Sequence, residues 1–353
     1  MRILAIRLGL GPLILLGLAI APPALAQILP RSEVPIREVV LSDGEHRYTI
    51  PITVGSTAID AGLDTGSTGL RVLPNVLSAT DATGGGSNDR YSYGAGTEFL
   101  GEVGKGQLSI GNLTATSTLQ LIQTVECRRD MPHCPASRIP IEKFGIQGNG
   151  LPGEGFRAII GVNMAEADIA SPLKAIGAKR WIVELPRPGS NEPGKLILNP
   201  GDEEVKDYAR LPVLSVYARQ KGGLHDAVSG CLINVASKEK GCGALLMDSG
   251  APGIQLVNGS LGRTPWPNNS AAALVLYDEN KARAVEYFTV GLREHASHLT
   301  FDEKSEQRGT VIYAGLLPYF AFDVLYDPGK GEIGVRPRPP GSGAPTGQLV
   351  APN

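Results

Sequence analysis

Aromatic side chains are scarce in this 353-residue sequence, at 5% of the total, and there are only four methionines and five histidines. They are too scattered to form a cofactor box, and no organic cofactor is implied. Charge of one sign is missing as well. Lys and Arg number 33 against 35 Asp and Glu, a formal net charge of −2 with no run of either sign. That balance excludes the basic footprint of a nucleic-acid-binding protein. Beyond the first 26 residues no apolar run is long enough to cross a hydrocarbon core of ~30 Å. Cysteine is limited to four residues, without the C-x2-C spacing of zinc ligation. Core material is not lacking, at 42% hydrophobic residues. Gly 45 and Pro 27 make the chain rich in turns, yet below the ~25–30% at which disorder becomes the default. At roughly 150 residues per domain, the length accommodates about two domains.

The first 26 residues read as a secretory signal peptide. Arg2 and Arg7 precede an apolar run from Leu8 to Ile20, and Ala24-Leu25-Ala26 fits the A-x-A cleavage pattern. A membrane anchor is the alternative, but the run is short for one. The expectation is a secreted or periplasmic protein without a stable membrane span, starting at Gln27. In an oxidising compartment the cysteines become a disulfide question. Four cysteines allow three connectivities; proximity favours Cys127 with Cys134 and Cys231 with Cys242. No metal site is expected. His295 and His298 have H-x2-H spacing with no cysteine nearby and read as solvated residues.

Most of the chain reads as short strands bounded by Gly, Pro, Asn or Ser, among them 48–54, 59–63, 106–110, 119–124, 181–185 and 195–198. One short helix is expected over 172–176, with Ser171 as N-cap, Pro172 at its first position and Gly177 past its end. The pattern predicts an all-β fold. Residues 338–353, rich in Pro, Gly and small side chains, read as a disordered tail. Gly148 to Gly153 matches G-x-G-x-x-G literally, but Pro152 lies inside it and no strong helix follows, so it reads as a loop.

A weak internal repeat carries the most information. Leu63-Asp64-Thr65-Gly66-Ser67-Thr68-Gly69-Leu70-Arg71-Val72 and Met247-Asp248-Ser249-Gly250-Ala251-Pro252-Gly253-Ile254-Gln255-Leu256 share one pattern: apolar, Asp, Thr or Ser, Gly, two residues, Gly, then apolar residues in alternation. Each copy is followed by an apolar segment with glycine, Ile159-Ile160-Gly161 after the first and Ile333-Gly334-Val335 after the second. A single Asp-Thr/Ser-Gly triplet is an ordinary turn. Two with matching flanks imply two similar β-lobes, each offering a carboxylate from a tight loop. Like charges a few ångströms apart raise one pKa strongly, so such a pair shares a proton. The ionised member then takes a proton from water while the protonated one polarises a carbonyl. Gly66 and Gly250 let each loop turn tightly, and Thr65 and Ser249 are placed to bond across to the opposite loop.

These motifs resemble the pepsin-like aspartic proteases. Tyr48 to Val54 leading to Asp64-Thr65-Gly66-Ser67 looks like the family's first strand and catalytic loop, and Asp248-Ser249-Gly250 like its second. Tyr91-Ser92-Tyr93-Gly94-Ala95-Gly96-Thr97 is similar to the flap hairpin, with Tyr93 in the place of the flap tyrosine. Phe156 to Gly161 and Phe320 to Asp327 through Val335 look like the supporting and closing strands. The resemblance implies a two-lobed, pseudo-twofold fold with a cleft between the lobes. It places an N-terminal lobe over 27–188 and a C-terminal lobe over 189–337. It also implies an aspartic endopeptidase in which Asp64 and Asp248 activate water. Thr65, Gly66, Ser67, Ser249 and Gly250 support them, and Tyr93, Gly94, Gly96 and Thr97 close over an extended peptide. The reading is of a monomer and of a bacterial-looking member without a propeptide. Two departures stand out. Arg71 replaces the tryptophan that supports the flap tyrosine, and is expected to donate to Tyr93. Ala251 replaces a hydroxyl beside the second aspartate. The alternative these departures leave open is a binding or inhibitory module on the same fold.

Overall fold

The structure, a computed structural model, describes residues 30–167, 169–187, 189–215, 223–259, 261, 264–292, 294, 296–303, 309–339 and 345–351. The expected signal peptide and His295 lie outside the described residues. The chain is all-β, with two sheets. The first holds β1 (Ser32–Val40), β2 (His46–Val54), β3 (Thr57–Asp64), β4 (Thr68–Val72), β5 (Ala82–Thr83), β6 (Asn88–Ser92), β7 (Thr97–Ile110), β8 (Leu113–Cys127), β9 (Ala158–Val162), β10 (Trp181–Glu184), β11 (Gly194–Leu198) and β12 (Ala209–Pro212). The second holds β13 (Val228–Asn234), β14 (Lys240–Met247), β15 (Ile254–Val257), β16 (Ala271–Asp278), β17 (Lys281–Thr289), β18 (Leu299–Asp302) and β19 (Val311–Gly315). Of the last three strands, β20 (Phe322–Asp327) and β21 (Glu332–Pro337) return to the first sheet, and β22 (Thr346–Leu349) joins the second.

Sequence chemistry explains the longest pairing. β7 and β8 form a hairpin from Thr97↔Cys127 to Ile110↔Leu113, turning at Gly111-Asn112. Gly111 takes φ +59°, the left-handed value that the first position of such a two-residue turn requires. Along β7 the residues Leu108 and Ile110 point into the core, while Lys105 and Gln107 point outward, the two-residue period of a half-buried strand. The main core runs between the sheets, with Leu63, Leu70, Ile160, Leu245, Met247, Ile312 and Tyr319 almost fully buried in it.

The repeat becomes a repeat of topology. β3 lies parallel to β9, and β4 antiparallel to β9 and parallel to β8. In the second sheet β14 lies parallel to β19, and β15 antiparallel to β19 and parallel to β18. The segment matching Ile159-Ile160-Gly161 is therefore Ile312 to Gly315, and not Ile333-Gly334-Val335. The latter belongs to β21, which pairs with β12 and β20 in the other sheet. Backbone contacts show the same equivalence. Asn163 N donates to Ser67 O at 2.9 Å, and Leu316 N to Ala251 O at 3.1 Å.

The first sheet draws strands from both sides of the expected boundary at 188/189, since β11, β12, β20 and β21 all pair within it. Two other expectations change. The tail is not wholly irregular: Thr346–Leu349 pairs with β17. Gly347 lies so close to Phe322 that a Cβ would sit 2.5 Å from its ring, so the small-residue composition that suggested disorder instead permits docking. The helix α1 (Pro172–Ala175) forms with Gly177 at φ +90° past its end, but Ser171 makes no side-chain cap bond. Further helical turns include α2 (Asp202–Val205) and α3 (Leu317–Ala321). Both disulfides are local, Cys127–Cys134 and Cys231–Cys242, which fits an oxidising compartment. No helix among the described residues is long and apolar enough to cross a membrane.

Candidate active site

The loops after β3 and β14 meet head to head. Thr65 N donates to Ser249 Oγ at 3.0 Å and Ser249 N donates to Thr65 Oγ1 at 2.8 Å. Thr65 Oγ1 donates to Met247 O at 3.1 Å, and Ser249 Oγ to Leu63 O at 2.9 Å. Each hydroxyl thus grips the residue before the opposite aspartate. Gly66 N donates to Asp64 Oδ1 at 2.9 Å, and Gly250 N to Asp248 Oδ1 at 2.8 Å. A Cβ on Gly66 would fall within 2.3–2.5 Å of the Asp248 carboxyl, and one on Gly250 within 2.8 Å of Asp64 Oδ1. Glycine is required at both places because each loop passes directly over the other's carboxylate.

The two carboxyls act on each other directly, each shifting the other's titration. Burial raises the pKa of Asp64, opposed by the Ser67 hydroxyl, the Gly66 N–H, the Asp248 carboxyl and the Arg71 charge. Burial also raises that of Asp248, and the charge on Asp64 adds to it; the Gly250 N–H and Arg47 oppose it. The difference has a visible source. Ser67 Oγ donates to Asp64 Oδ2 at 2.6 Å, whereas the equivalent residue on the other loop is Ala251. Asp64, though the more buried of the two, is accordingly the better hydrogen-bonded carboxylate, which favours a proton on Asp248.

The pair opens into a cleft of about 580 Å³. Asp64, Gly66, Ser67, Asp248 and Gly250 form its floor, with Tyr93, Gly94 and Thr97 of the β6–β7 hairpin above. Thr65 and Ser249 lie beneath the floor, both buried. Gly96, in the turn of the hairpin, does not line the cleft; a Cβ there would meet Met131 at 2.6 Å. Tyr91, in β6, reaches the cleft together with Tyr93, just past the end of that strand. Their rings stack edge to face at 4.9 Å, and the row continues through Phe99 and Phe144.

Arg71 does not donate to Tyr93. Its guanidinium lies 3.4 Å from the centre of the Tyr91 ring and donates to Thr68 O at 2.8 Å; the Tyr93 hydroxyl has no partner among the described residues. Arg71 is 2% exposed, so its cation acts on the dyad from below Tyr91. Sequence reasoning also passed over Gln147, Arg47 and Tyr319. The Gln147 carboxamide is buried without a partner among the described residues, its Nε2 close to Gly250, and Arg47 Nε donates to Gln147 O at 2.9 Å. Tyr319 OH donates to Thr65 Oγ1 at 2.7 Å. The i, i+2 pair Tyr91 and Tyr93 was the readable signal; the others come from segments remote in sequence, with no local pattern.

Among the described residues no group of three His, Cys, Asp or Glu side chains converges as a metal site would require. No family model matches the chain, and no curated protein matches it.

Proposed function

We propose that the chain is an aspartic endopeptidase with a two-lobed, pepsin-like architecture, acting on an extended peptide held under the β6–β7 hairpin. The observation that carries this reading is the pair of carboxyls, Asp64 and Asp248, brought together by reciprocal Thr65–Ser249 bonds from two topologically matched loops. Ionised Asp64 takes a proton from a bound water as its oxygen attacks the scissile carbonyl carbon, and Asp248 gives its proton to the carbonyl oxygen. The resulting diol collapses with transfer of a proton to the leaving nitrogen, returning the pair to one shared proton. Backbone groups of the hairpin would pair with the peptide main chain. The two disulfides and the expected signal peptide support action outside the cytoplasm.

The test is cleavage of a denatured protein by residues 27–353 between about pH 3 and pH 7, the range in which a carboxylate pair titrates. Parallel samples carry pepstatin, Asp64→Ala or Asp248→Ala. Loss of cleavage in all three is expected. A folded chain that cleaves nothing at any pH would favour a binding or inhibitory module, the second reading. The replacement of a hydroxyl by Ala251 is the observation that keeps it in view.

A further inference from the structure

Behind the grip lies a second hydrogen-bonded feature that the two-loop repeat does not call for. Tyr319, on α3, and Tyr326, on β20, are both 0% exposed. Their hydroxyls are hydrogen-bonded to each other, and Tyr319 OH donates to Thr65 Oγ1 at 2.7 Å. Thr65 Oγ1 also accepts from Ser249 N and donates to Met247 O. A hydroxyl has one proton and two lone pairs, so Thr65 is saturated, with its proton committed to the residue before Asp248. Its twin Ser249 Oγ donates to Leu63 O and accepts from Thr65 N, and no tyrosine among the described residues donates to it. The Tyr326 ring in turn stacks on Trp181 at 5.9 Å, which ties the chain of phenols to the rigid interior of the first sheet.

We propose that Tyr319 is a positioning residue for the dyad: its hydroxyl locks the Thr65 side chain and so sets the separation and orientation of Asp64 and Asp248. This rests on the peptidase reading. The phenol does not line the cleft, so it bears on the chemical step and leaves substrate binding alone. Tyr326 serves Tyr319 by satisfying its oxygen, and is dispensable for the lock.

Three variants separate this role from a merely structural one: Tyr319→Phe, Tyr326→Phe and the double variant, each measured for kcat, KM and Tm beside the wild type. Tyr319→Phe should lower kcat by about 10- to 100-fold, as a small misplacement of reacting groups does, with KM little changed and Tm reduced. Tyr326→Phe should keep kcat near the wild-type value. The double variant removes the hydroxyl that Tyr319→Phe orphans, so its Tm should recover while kcat stays low. A kcat that recovers with Tm, or a Tyr319→Phe enzyme as fast as wild type, overturns the assignment. Absence of cleavage by the wild type overturns the peptidase reading instead, and the positioning role falls with it.

Discussion

Ala251 is where the two halves of the dyad differ most simply. It stands on the second loop where Ser67 stands on the first, and Ser67 Oγ is the closest donor to Asp64. Asp248 receives a backbone donor from Gly250, but the loop offers it no matching hydroxyl. Ala251→Ser supplies one. An added O–H donor stabilises the carboxylate and lowers the pH at which the shared proton is lost. The alkaline limb of the pH–rate profile should therefore move to lower pH by roughly one unit, the equivalent of one hydrogen bond to a charged group. The acid limb, governed by the Asp64 side, should move much less. An alkaline limb that stays in place, in a variant whose activity is otherwise intact, would show that Asp248 does not hold the proton. Arg71 works on the opposite side of the pair: a buried cation beneath Tyr91 favours the ionised form of Asp64 and shares the neutralisation of the site with it.

At the scale of elements, the β6–β7 hairpin depends on the loop behind it. Arg128 N donates to Gly96 O at 2.8 Å, and the loop from Cys127 to Cys134 packs Met131 against Gly96. The other disulfide, Cys231–Cys242, joins opposed residues of β13 and β14, and neither cysteine lines the cleft. Each closes a short loop and contributes about 2–4 kcal/mol. Their effects on activity should differ. Replacing Cys127 and Cys134 by serine should raise KM several-fold for a peptide held by the hairpin. Replacing Cys231 and Cys242 should lower Tm by a comparable amount and leave KM near wild type. Equal KM values in the two variants would mean that the hairpin stands without its clamp. Both pairings were legible in the sequence, as were the aspartate loops and the hairpin, because each is encoded within about a dozen neighbouring residues. What escaped depends on partners far apart in sequence. Ile312 to Gly315 becomes the counterpart of Ile159 to Gly161 only through parallel pairing with β14. Thr346–Leu349 becomes a strand only through the free edge of β17. Tyr319 finds Thr65 across 254 residues.

Across the whole molecule several buried carboxyls are pushed towards their neutral form. Glu286 points into the core between Ala284 and Phe288, 1% exposed, opposite Leu274 on one side and Gly347 on the other. Neither of its oxygens has a partner among the described residues, and burial raises its pKa well above the ordinary range. An unpaired anion there would be costly, so folding selects the acid form. A carboxyl whose folded pKa exceeds its unfolded one contributes stability that is fully present below the unfolded value and is lost as pH rises through the folded one. Asp64 and Asp248 act in the same direction. Asp81 opposes them. The Thr57 hydroxyl, the Ser56 N–H and the Ser78 hydroxyl and N–H hold it far below its usual value, so its contribution is present above the unfolded carboxylate range and lost as pH falls. The balance predicts a Tm that peaks in mild acid, where the dyad is half-protonated, and declines towards pH 8. Glu286→Met keeps the volume and removes the ionisable group. It should stabilise the protein at pH 8 by roughly 1–3 kcal/mol while changing Tm little at pH 4, flattening the decline. A variant whose Tm falls with pH as steeply as the wild type would assign the decline to the dyad instead, and Asp248→Asn would then be the substitution that flattens it.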